Sequence, residues 1–303
     1  MRNLSSMMIT TQTLLPLYSE SVASVNSLSP DVVSKPSLVF LHGLLGSTAD
    51  WQKIVSHLSS DYQCICIDLP GHGGSQAVTA NDFQHVQQLI IATLAQYQLE
   101  HIVLVGYSLG ARIAMNIASE PAINWPYSID GLLLESGNPG LNSSAEQLQR
   151  GLHDLGWVTR FSEAPLAQVL PDWYQQGVFA SLTDRQKTAL IATRSQIQAN
   201  RNGFNGGLQI SKMLAATSLS KQGYLLPQLQ NAEFPVCMVC GELDPKFVQL
   251  TQASQLDHHV VANAGHNVHA DQPLVFTELV RGLVSDSLAS NKLVSRTSQQ
   301  SAA

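Results

Sequence analysis

The chain has 303 residues, 44% of them hydrophobic and 13% charged, and a formal net charge of −6. This size and composition predict one large hydrophobic core or two smaller ones. The acidic balance argues against a nucleic-acid partner, which would require a basic surface. No apolar stretch reaches the ~20 residues that span a bilayer, so no membrane partner is expected.

The two ends of the chain lack regular patterning. Residues 1–36 show neither helical nor strand periodicity, and a flexible N-terminal extension is predicted. Their first half contains one Arg and interrupted apolar patches, which argues against a signal peptide. Residues 285–303 are rich in Ser and polar side chains, and a flexible tail is predicted there.

Between these ends, short apolar strands alternate with amphipathic helices. Strands are predicted at 37–43, 64–70, 101–106, 130–136, 235–241 and 258–264, and helices at 81–98, 109–120, 246–255 and 271–285. Near-continuous apolar strands that alternate with helices predict a mostly parallel sheet covered on both faces. The fold class is therefore α/β, with a core formed by residues 37–138 and 223–284.

The alternation stops at residues 139–222, where only helical patterns occur. This lid segment, as we name residues 139–222, contains eight basic and five acidic residues, a balance of +3, whereas the rest of the chain has a balance of −9. A helical insertion in a parallel sheet is expected over the carboxyl ends of the strands, where α/β proteins bind ligands. We therefore predict an all-helical lid; a chance scatter of charges is the alternative for its basic character.

The cysteines form two close pairs, Cys64 with Cys66 and Cys237 with Cys240, each within a predicted strand. Buried cysteines of this kind are common in reduced proteins, so a cytoplasmic location is expected. A redox or metal-binding role for Cys237-x-x-Cys240 is the less favoured alternative.

A candidate nucleophile lies in Gly106-Tyr107-Ser108-Leu109-Gly110, between a predicted strand and a predicted helix. A G-x-S-x-G sequence in this context is typical of a sharp turn that exposes the serine hydroxyl. Asp244 follows a later strand and His266 the next one, in the order Ser, Asp, His that α/β-hydrolases use. Alone, Asp244 could be a helix N-cap and His266 a loop residue. Together they predict a catalytic triad.

The loop after the first core strand, "HGLLG", suits an oxyanion hole. We assign the hole to the backbone N–H groups of Leu44 and Leu109. His42 and His72 are interpreted as structural, and the nearby histidines His258, His259 and His269 as surface residues. The glycine-rich "DLPGHGGS" does not match a phosphate-binding loop, so no nucleotide cofactor is expected.

Arg112 lies one helical turn beyond Ser108, where a small or apolar residue would normally pack. A guanidinium group at this position favours a pocket for carboxylates, because it pairs with them through two parallel hydrogen bonds. The alternative is a surface ion pair with Glu120 or a similar acid.

The motifs "DLPGHGGS", "GYSLGAR", "ESGNPGL", "DWYQQGVFASL" and "AGHNVH" together resemble the MenH family. These menaquinone-pathway synthases of the α/β-hydrolase superfamily form 2-succinyl-6-hydroxy-2,4-cyclohexadiene-1-carboxylate (SHCHC). The resemblance spans residues 37–284, and "GYSLGAR" and "DWYQQGVFASL" are its most specific parts. It implies a lyase that eliminates pyruvate from 2-succinyl-5-enolpyruvyl-6-hydroxy-3-cyclohexene-1-carboxylate (SEPHCHC), without an acyl-enzyme, a metal or a cofactor.

The resemblance also implies residue roles. Ser108, activated by His266 and oriented by Asp244, would act as the base. The tricarboxylate substrate would be bound by matched arginines and aromatic residues, namely Arg112, Arg150, Arg194, Tyr107 and Trp173. The Gly/Asn-rich link after Arg194 is longer than the family pattern, a departure that bears on the position of the lid helix that carries Arg194.

Two other functions remain open from the sequence. A serine carboxylesterase or C–C bond hydrolase would share the triad but would favour an apolar pocket. A non-catalytic binding module is disfavoured because all three triad positions are filled. The sequence does not indicate an oligomeric state.

Overall fold

The computed structural model describes residues 14–22, 35–119, 125–199 and 205–300, with side chains up to residue 290. The strands are β1 (Ser19–Val22), β2 (Ser37–Leu41), β3 (Cys64–Ile67), β4 (His101–Tyr107), β5 (Ser128–Glu135), β6 (Val236–Gly241) and β7 (Asp257–Val261). The helices are α1 (Gln52–Leu58), α2 (Phe83–Leu94), α3 (Leu109–Ser119), α4 (Ser144–Glu163), α5 (Leu166–Trp173), α6 (Asp184–Ile197), α7 (Gly206–Ala216), α8 (Leu226–Gln230), α9 (Pro245–Ala253), α10 (Val268–Asp271) and α11 (Pro273–Gln300).

The strands form one sheet in the order β1-β3-β2-β4-β5-β6-β7, and all neighbours are parallel except β1 and β3. The chain passes from β2 to β3 on one side and then to β4 on the other. This reversal opens a crevice at the carboxyl ends of β2 and β4, the place where open α/β sheets bind ligands. Leu41 pairs with Gly106 across these strands, so the loops that follow them lie side by side.

Two apolar layers cover the sheet, which explains why the inner strands are apolar along their whole length. One layer joins α2 and α3 to side chains such as Val39, Leu104 and Leu132. The other joins α1 and α11 to side chains such as Phe40 and Val105. The predicted α/β-hydrolase fold class, a mostly parallel sheet flanked by helices, is confirmed.

The described residues of the lid segment form helices and turns with no strand, and α4 to α7 lie within it. These helices have their own apolar cluster, built around Phe161, Leu170, Tyr174 and Ile210. Leu45, from the loop after β2, belongs to the same cluster. The lid segment therefore packs onto the crevice loop through apolar contacts.

The structure differs from the predicted flexible ends in two places. Residues Ser19–Val22 form the antiparallel edge strand β1, and the backbone N–H of the buried Leu17 donates to Thr93 Oγ1 at 2.8 Å. At the other end, α11 continues to Gln300. The rest of the predicted extension and tail, residues 1–13, 23–34 and 301–303, lies outside the described part. No helix within the described ranges is long and apolar enough to cross a membrane.

Candidate active site

Ser108 occupies the sharp turn between β4 and α3. Its φ is +50°, in the left-handed region that residues other than glycine rarely adopt. The two flanking glycines make this turn sterically accessible. A Cβ at Gly110 would collide with the carbonyl oxygen of Leu41, and one at Gly106 would lie 2.5 Å from the backbone nitrogen of Ala111. The G-x-S-x-G spacing thus follows from backbone packing at the crevice.

Ser108, His266 and Asp244 form a connected chain of side chains. His266 Nδ1 lies 2.7 Å from Asp244 Oδ2, and His266 Nε2 lies 3.4 Å from Ser108 Oγ. Both Asp244 and His266 are buried. Asp244 also caps α9, because its Oδ1 accepts from the backbone N–H of Phe247 at 3.4 Å. The N-cap role and the contact with His266 therefore use different oxygens of one carboxylate.

The loop after β2 lies beside the serine turn, since a Cβ at Gly43 would be 3.5 Å from Ser108 Cβ, and Leu44 lines the same cavity as Ser108. Within the described residues, neither the N–H of Leu44 nor that of Leu109 donates a hydrogen bond. The loop is fixed by two buried imidazoles: His72 Nε2 accepts from the N–H of Leu45, and His42 Nε2 accepts from that of Leu69, both at 3.0 Å. Burial, followed by the neighbouring His42, lowers the pKa of His72 to about 3, so its ring is neutral and accepts. His42 and His72 therefore both stabilise the loop after β2.

A cavity of about 550 Å³ opens in front of Ser108, between the sheet and the lid segment. This volume is in the range of small-molecule sites. All five residues predicted to bind substrate line it, together with the triad and both leucines of the predicted oxyanion hole; the five are Tyr107, Arg112, Arg150, Trp173 and Arg194. Tyr107 Oη donates to Asn267 Oδ1 at 2.7 Å, and the Trp173 ring lies 4.9 Å from that of Trp157.

Arg112 is buried, and its guanidinium contacts neutral groups. Nε donates to Gln222 Oε1 and Nη2 to the carbonyl oxygen of Thr217, each at 2.7 Å. No carboxylate pairs with it among the described residues, and Glu120 lies outside them. Burial, and then the nearby Arg150, lowers the pKa of Arg112. The alternative interpretation, in which Arg112 forms an ion pair at the surface, is therefore wrong for the acidic residues that the structure describes, because the Arg112 side chain is buried.

Arg150 and Arg194 reach the cavity from the lid segment, and each has an acidic partner. Arg150 Nε lies 2.7 Å from Asp154 Oδ1 within α4, and Arg194 Nη1 lies 2.7 Å from Asp50 Oδ1 of the sheet domain. The Nε of Arg194 is buried without a hydrogen-bond partner in the described part of the chain. The longer link after Arg194, whose residues 200–204 lie outside the described part, leaves this side chain on the cavity.

The prediction that His269 is a surface residue is wrong. Its ring is buried against Glu135, with Nδ1 at 2.7 Å from Oε2, and its backbone N–H donates to Oε1 at 3.0 Å. Burial favours the neutral ring, but the Glu135 carboxylate outweighs it and raises the pKa of His269. The sequence carried a partial signal, because Glu135 directly follows the apolar run 132–134 and a buried carboxylate requires a partner, but the pattern does not identify His269 as that partner. His258 is half-buried and His259 exposed.

Sequence analysis also missed Lys246 and Asn267, which line the cavity. Each lies next to a triad residue in the chain, Lys246 two positions after Asp244 and Asn267 directly after His266. Their positions next to Asp244 and His266 in the sequence could have predicted that they lie near the cavity. Residues adjacent to a triad member at a strand end must lie near the nucleophile whatever their own role.

One group of potential metal ligands is found within the described ranges: Cys237, Asp257 and His259. It lies at the outer strands β6 and β7, and none of its members lines the cavity. Burial raises the pKa of the Cys237 thiol to about 12, which disfavours the thiolate that a metal requires. Cys237 and Cys240, three positions apart on a strand, project to opposite faces, so they are not placed as a redox pair.

The sheet order and the serine turn are those of the α/β-hydrolase class, and the family model described as alpha/beta hydrolase fold matches residues 36–273. The chain is 43% identical over 250 residues to the 2-succinyl-6-hydroxy-2,4-cyclohexadiene-1-carboxylate synthase of Serratia proteamaculans, covering 82% of this chain and 93% of that protein. The synthase of Klebsiella pneumoniae is 42% identical, with coverages of 78% and 89%. The chain belongs to this synthase family.

A solved structure supports the same relationship. The structure of MenH from S. aureus superposes with a TM-score of 0.76 at 25% identity, and the match covers 89% of this chain and 98% of that one. The family resemblance predicted from the motifs is confirmed.

Proposed function

We propose that the protein is a cytoplasmic enzyme of menaquinone biosynthesis that eliminates pyruvate from SEPHCHC to give SHCHC. The observation that carries this proposal is that three arginines line the cavity in front of Ser108. One comes from the sheet domain and two from the lid segment. Relatives at 42–43% identity bear the name of this synthase.

The reaction is written as a proton transfer followed by loss of a leaving group. His266 takes the hydroxyl proton of Ser108, and the serine oxygen removes the proton from the carbon next to the succinyl ketone. The ketone oxygen becomes an enolate oxygen, and the N–H groups of Leu44 and Leu109 stabilise it. The electrons then return through the ring double bond and break the C–O bond to the enolpyruvyl group. That group takes up a proton and leaves as pyruvate.

Asp244 orients the imidazole and stabilises its protonated form, which its 2.7 Å contact with Nδ1 supports. No bond to the serine oxygen forms in this scheme, and no metal or cofactor takes part. The substrate has three carboxylates, and Arg112, Arg150 and Arg194 are the groups proposed to bind them. Tyr107 and Trp173 would contact the apolar face of the ring.

An esterase or C–C bond hydrolase would use the same triad, so the lining of the cavity decides between these functions. Burying a guanidinium group costs free energy unless a charged or polar partner compensates it. Arg112 has two neutral polar partners but no carboxylate within ion-pair distance among the described residues, and the Nε of Arg194 has no partner there. An apolar ester would supply neither group with a charged partner. The cationic lining therefore favours a polycarboxylate.

Two parallel assays test the proposal: pyruvate release from SEPHCHC and nitrophenol release from a nitrophenyl ester. The proposal predicts rapid pyruvate release and slow ester turnover. Rapid ester hydrolysis without pyruvate release would instead assign the protein to the hydrolases.

A further inference from the structure

Lys246 brings a fourth cationic side chain to the cavity. It lies in the first turn of α9, two residues after Asp244, and Pro245 between them fixes the backbone at the start of that helix. Its side chain is exposed at the edge of the cavity and forms no ion pair with a carboxylate in the part of the chain that the structure describes. Its one ring contact, 5.9 Å from the centroid of its neighbour Phe247, is long.

The charges around the cavity are unevenly compensated. Asp154 pairs with Arg150 and Asp50 pairs with Arg194. Among the described residues, no carboxylate lies within ion-pair distance of Arg112 or Lys246, although Asp154 is near the first and Asp244 near the second. Arg150 is close enough to repel both Arg112 and Lys246. Burial is the largest cause of the lowered pKa of both Arg112 and Lys246, and Arg150 is the second for each.

This cationic cluster (Arg112, Arg150 and Lys246) contains three positive groups, and two carboxylates lie near it: that of Asp154, which pairs with Arg150, and that of Asp244, which contacts His266. Its surplus of one positive charge matches one carboxylate of a ligand. Arg194 lies apart from the cluster, with Asp50 and Tyr174. A ligand carboxylate in the cluster would relieve the mutual repulsion and gain charge-assisted hydrogen bonds.

We propose that Lys246 is a substrate-binding residue that holds a carboxylate of the ligand together with Arg112 and Arg150. Lysine suits this place because its ammonium is a compact charge on a flexible stem, able to meet an anion at the partly exposed side of the cavity. The inference rests on the proposed function for the identity of the ligand as a tricarboxylate. The two can be tested separately.

The kinetic test compares Lys246→Met with Lys246→Arg. For pyruvate release from SEPHCHC, Lys246→Met should raise KM by ~10–100-fold with a smaller change in kcat, the effect of losing a hydrogen bond to a charged group. Lys246→Arg keeps the charge and should recover most of the affinity. Lys53→Met, an exposed position on α1 away from the cavity, is the matched control and should behave as wild type.

The binding test uses propane-1,2,3-tricarboxylate and calorimetry, and does not require turnover. Wild type should bind this anion at least ~10-fold more tightly than Lys246→Met. Equal affinity of the two proteins, including no binding by either, would overturn the inference, and so would Lys246→Arg behaving like Lys246→Met. If the affinities differ as expected but wild type releases no pyruvate, the proposed function fails while the carboxylate-binding role of Lys246 stands.

Discussion

Ser108 combines a constrained backbone conformation with the proposed role of the base. Its positive φ is held by the packing of Gly106 and Gly110 against neighbouring backbone, and its hydroxyl faces His266 at 3.4 Å. A hydrogen bond of this length is common in an unliganded site and shortens when substrate binds. The strain places the hydroxyl at the crevice between β2 and β4.

Replacing Ser108 with Ala should lower kcat for pyruvate release by ~10²–10⁴-fold, because it removes the group proposed as the base for the carbon-bound proton. Binding of the substrate, measured by calorimetry, should change little because the cationic side chains remain. A variant that no longer binds substrate, while retaining the melting temperature of wild type, would contradict this separation of roles.

Arg112→Ala should weaken transition-state stabilisation by ~2–5 kcal/mol, since a desolvated carboxylate loses its charged partner. The measurement is kcat/KM for pyruvate release. Arg185→Ala removes an exposed arginine of the lid segment that does not line the cavity, and serves as the control. Equal kinetics of both variants would exclude Arg112 from the binding site.

The triad positions were predictable because G-x-S-x-G and the strand-end positions of Asp244 and His266 are local patterns. Arg112 was predictable from its helical offset, and the lid arginines only through the family resemblance. The burial of His269 was not predicted. Its partner, Glu135, is 134 positions away in the chain, and no local pattern reports a pairing over that distance.

At the scale of elements, the ion pair between Arg194 and Asp50 joins α6 of the lid segment to the sheet domain. Both side chains are largely buried, with exposed fractions of 7% and 13%. Asp50 lies in the turn that follows β2, where its side chain forms a capping box with that of Ser47. The loop that supplies Leu44 and the helix that supplies Arg194 are thereby coupled.

Asp50→Asn should lower the free energy of unfolding by about 3–5 kcal/mol, because it leaves a buried guanidinium without its charge partner. Asp172→Asn removes the partner of Arg160 in an exposed pair of the lid segment and should cost ~0–1 kcal/mol. Urea unfolding of both variants checks the difference. Similar small losses would mean that Arg194 is not fixed by Asp50.

Most strands and helices of the core were predictable, whereas β1 was not. Its sequence, SESV, has only four residues and one apolar side chain, so it shows no alternation of apolar and polar residues. Three of the four residues are exposed. It forms because β3 offers an open edge and because Leu17 is buried just before it. Such an edge strand depends on tertiary contacts that local pattern does not encode.

At the scale of the whole molecule, the chain separates a basic lid segment from an acidic body, and the cavity lies between them. This explains why the net charge of −6 is compatible with an anionic ligand. The electrostatic potential in the cavity depends more on the charged side chains that line it than on the net charge of the chain.

The buried Glu135–His269 pair makes stability depend on pH. Glu135 raises the pKa of His269 above its ordinary value of 6.5, so the pair contributes fully below about pH 6.5. That contribution is lost as the pH rises through the higher value of the folded state. Glu135→Gln should therefore destabilise the protein more at about pH 6 than at about pH 9.

Urea unfolding of wild type and Glu135→Gln at the two pH values provides the measurement. Glu163→Gln, an exposed change at the end of α4, is the control and should show no such trend. A loss of stability that is equal at both pH values would show that the pair does not titrate.

We propose that Ser108 acts as a base in an elimination and forms no ester. A single-turnover experiment distinguishes these two possibilities, with SEPHCHC that carries deuterium at the carbon next to the succinyl ketone. We expect a slower reaction with deuterium, one pyruvate for each SHCHC, and no change in the intact mass of the protein during turnover. A covalent adduct on Ser108, with a rate that does not depend on deuterium, would contradict the account.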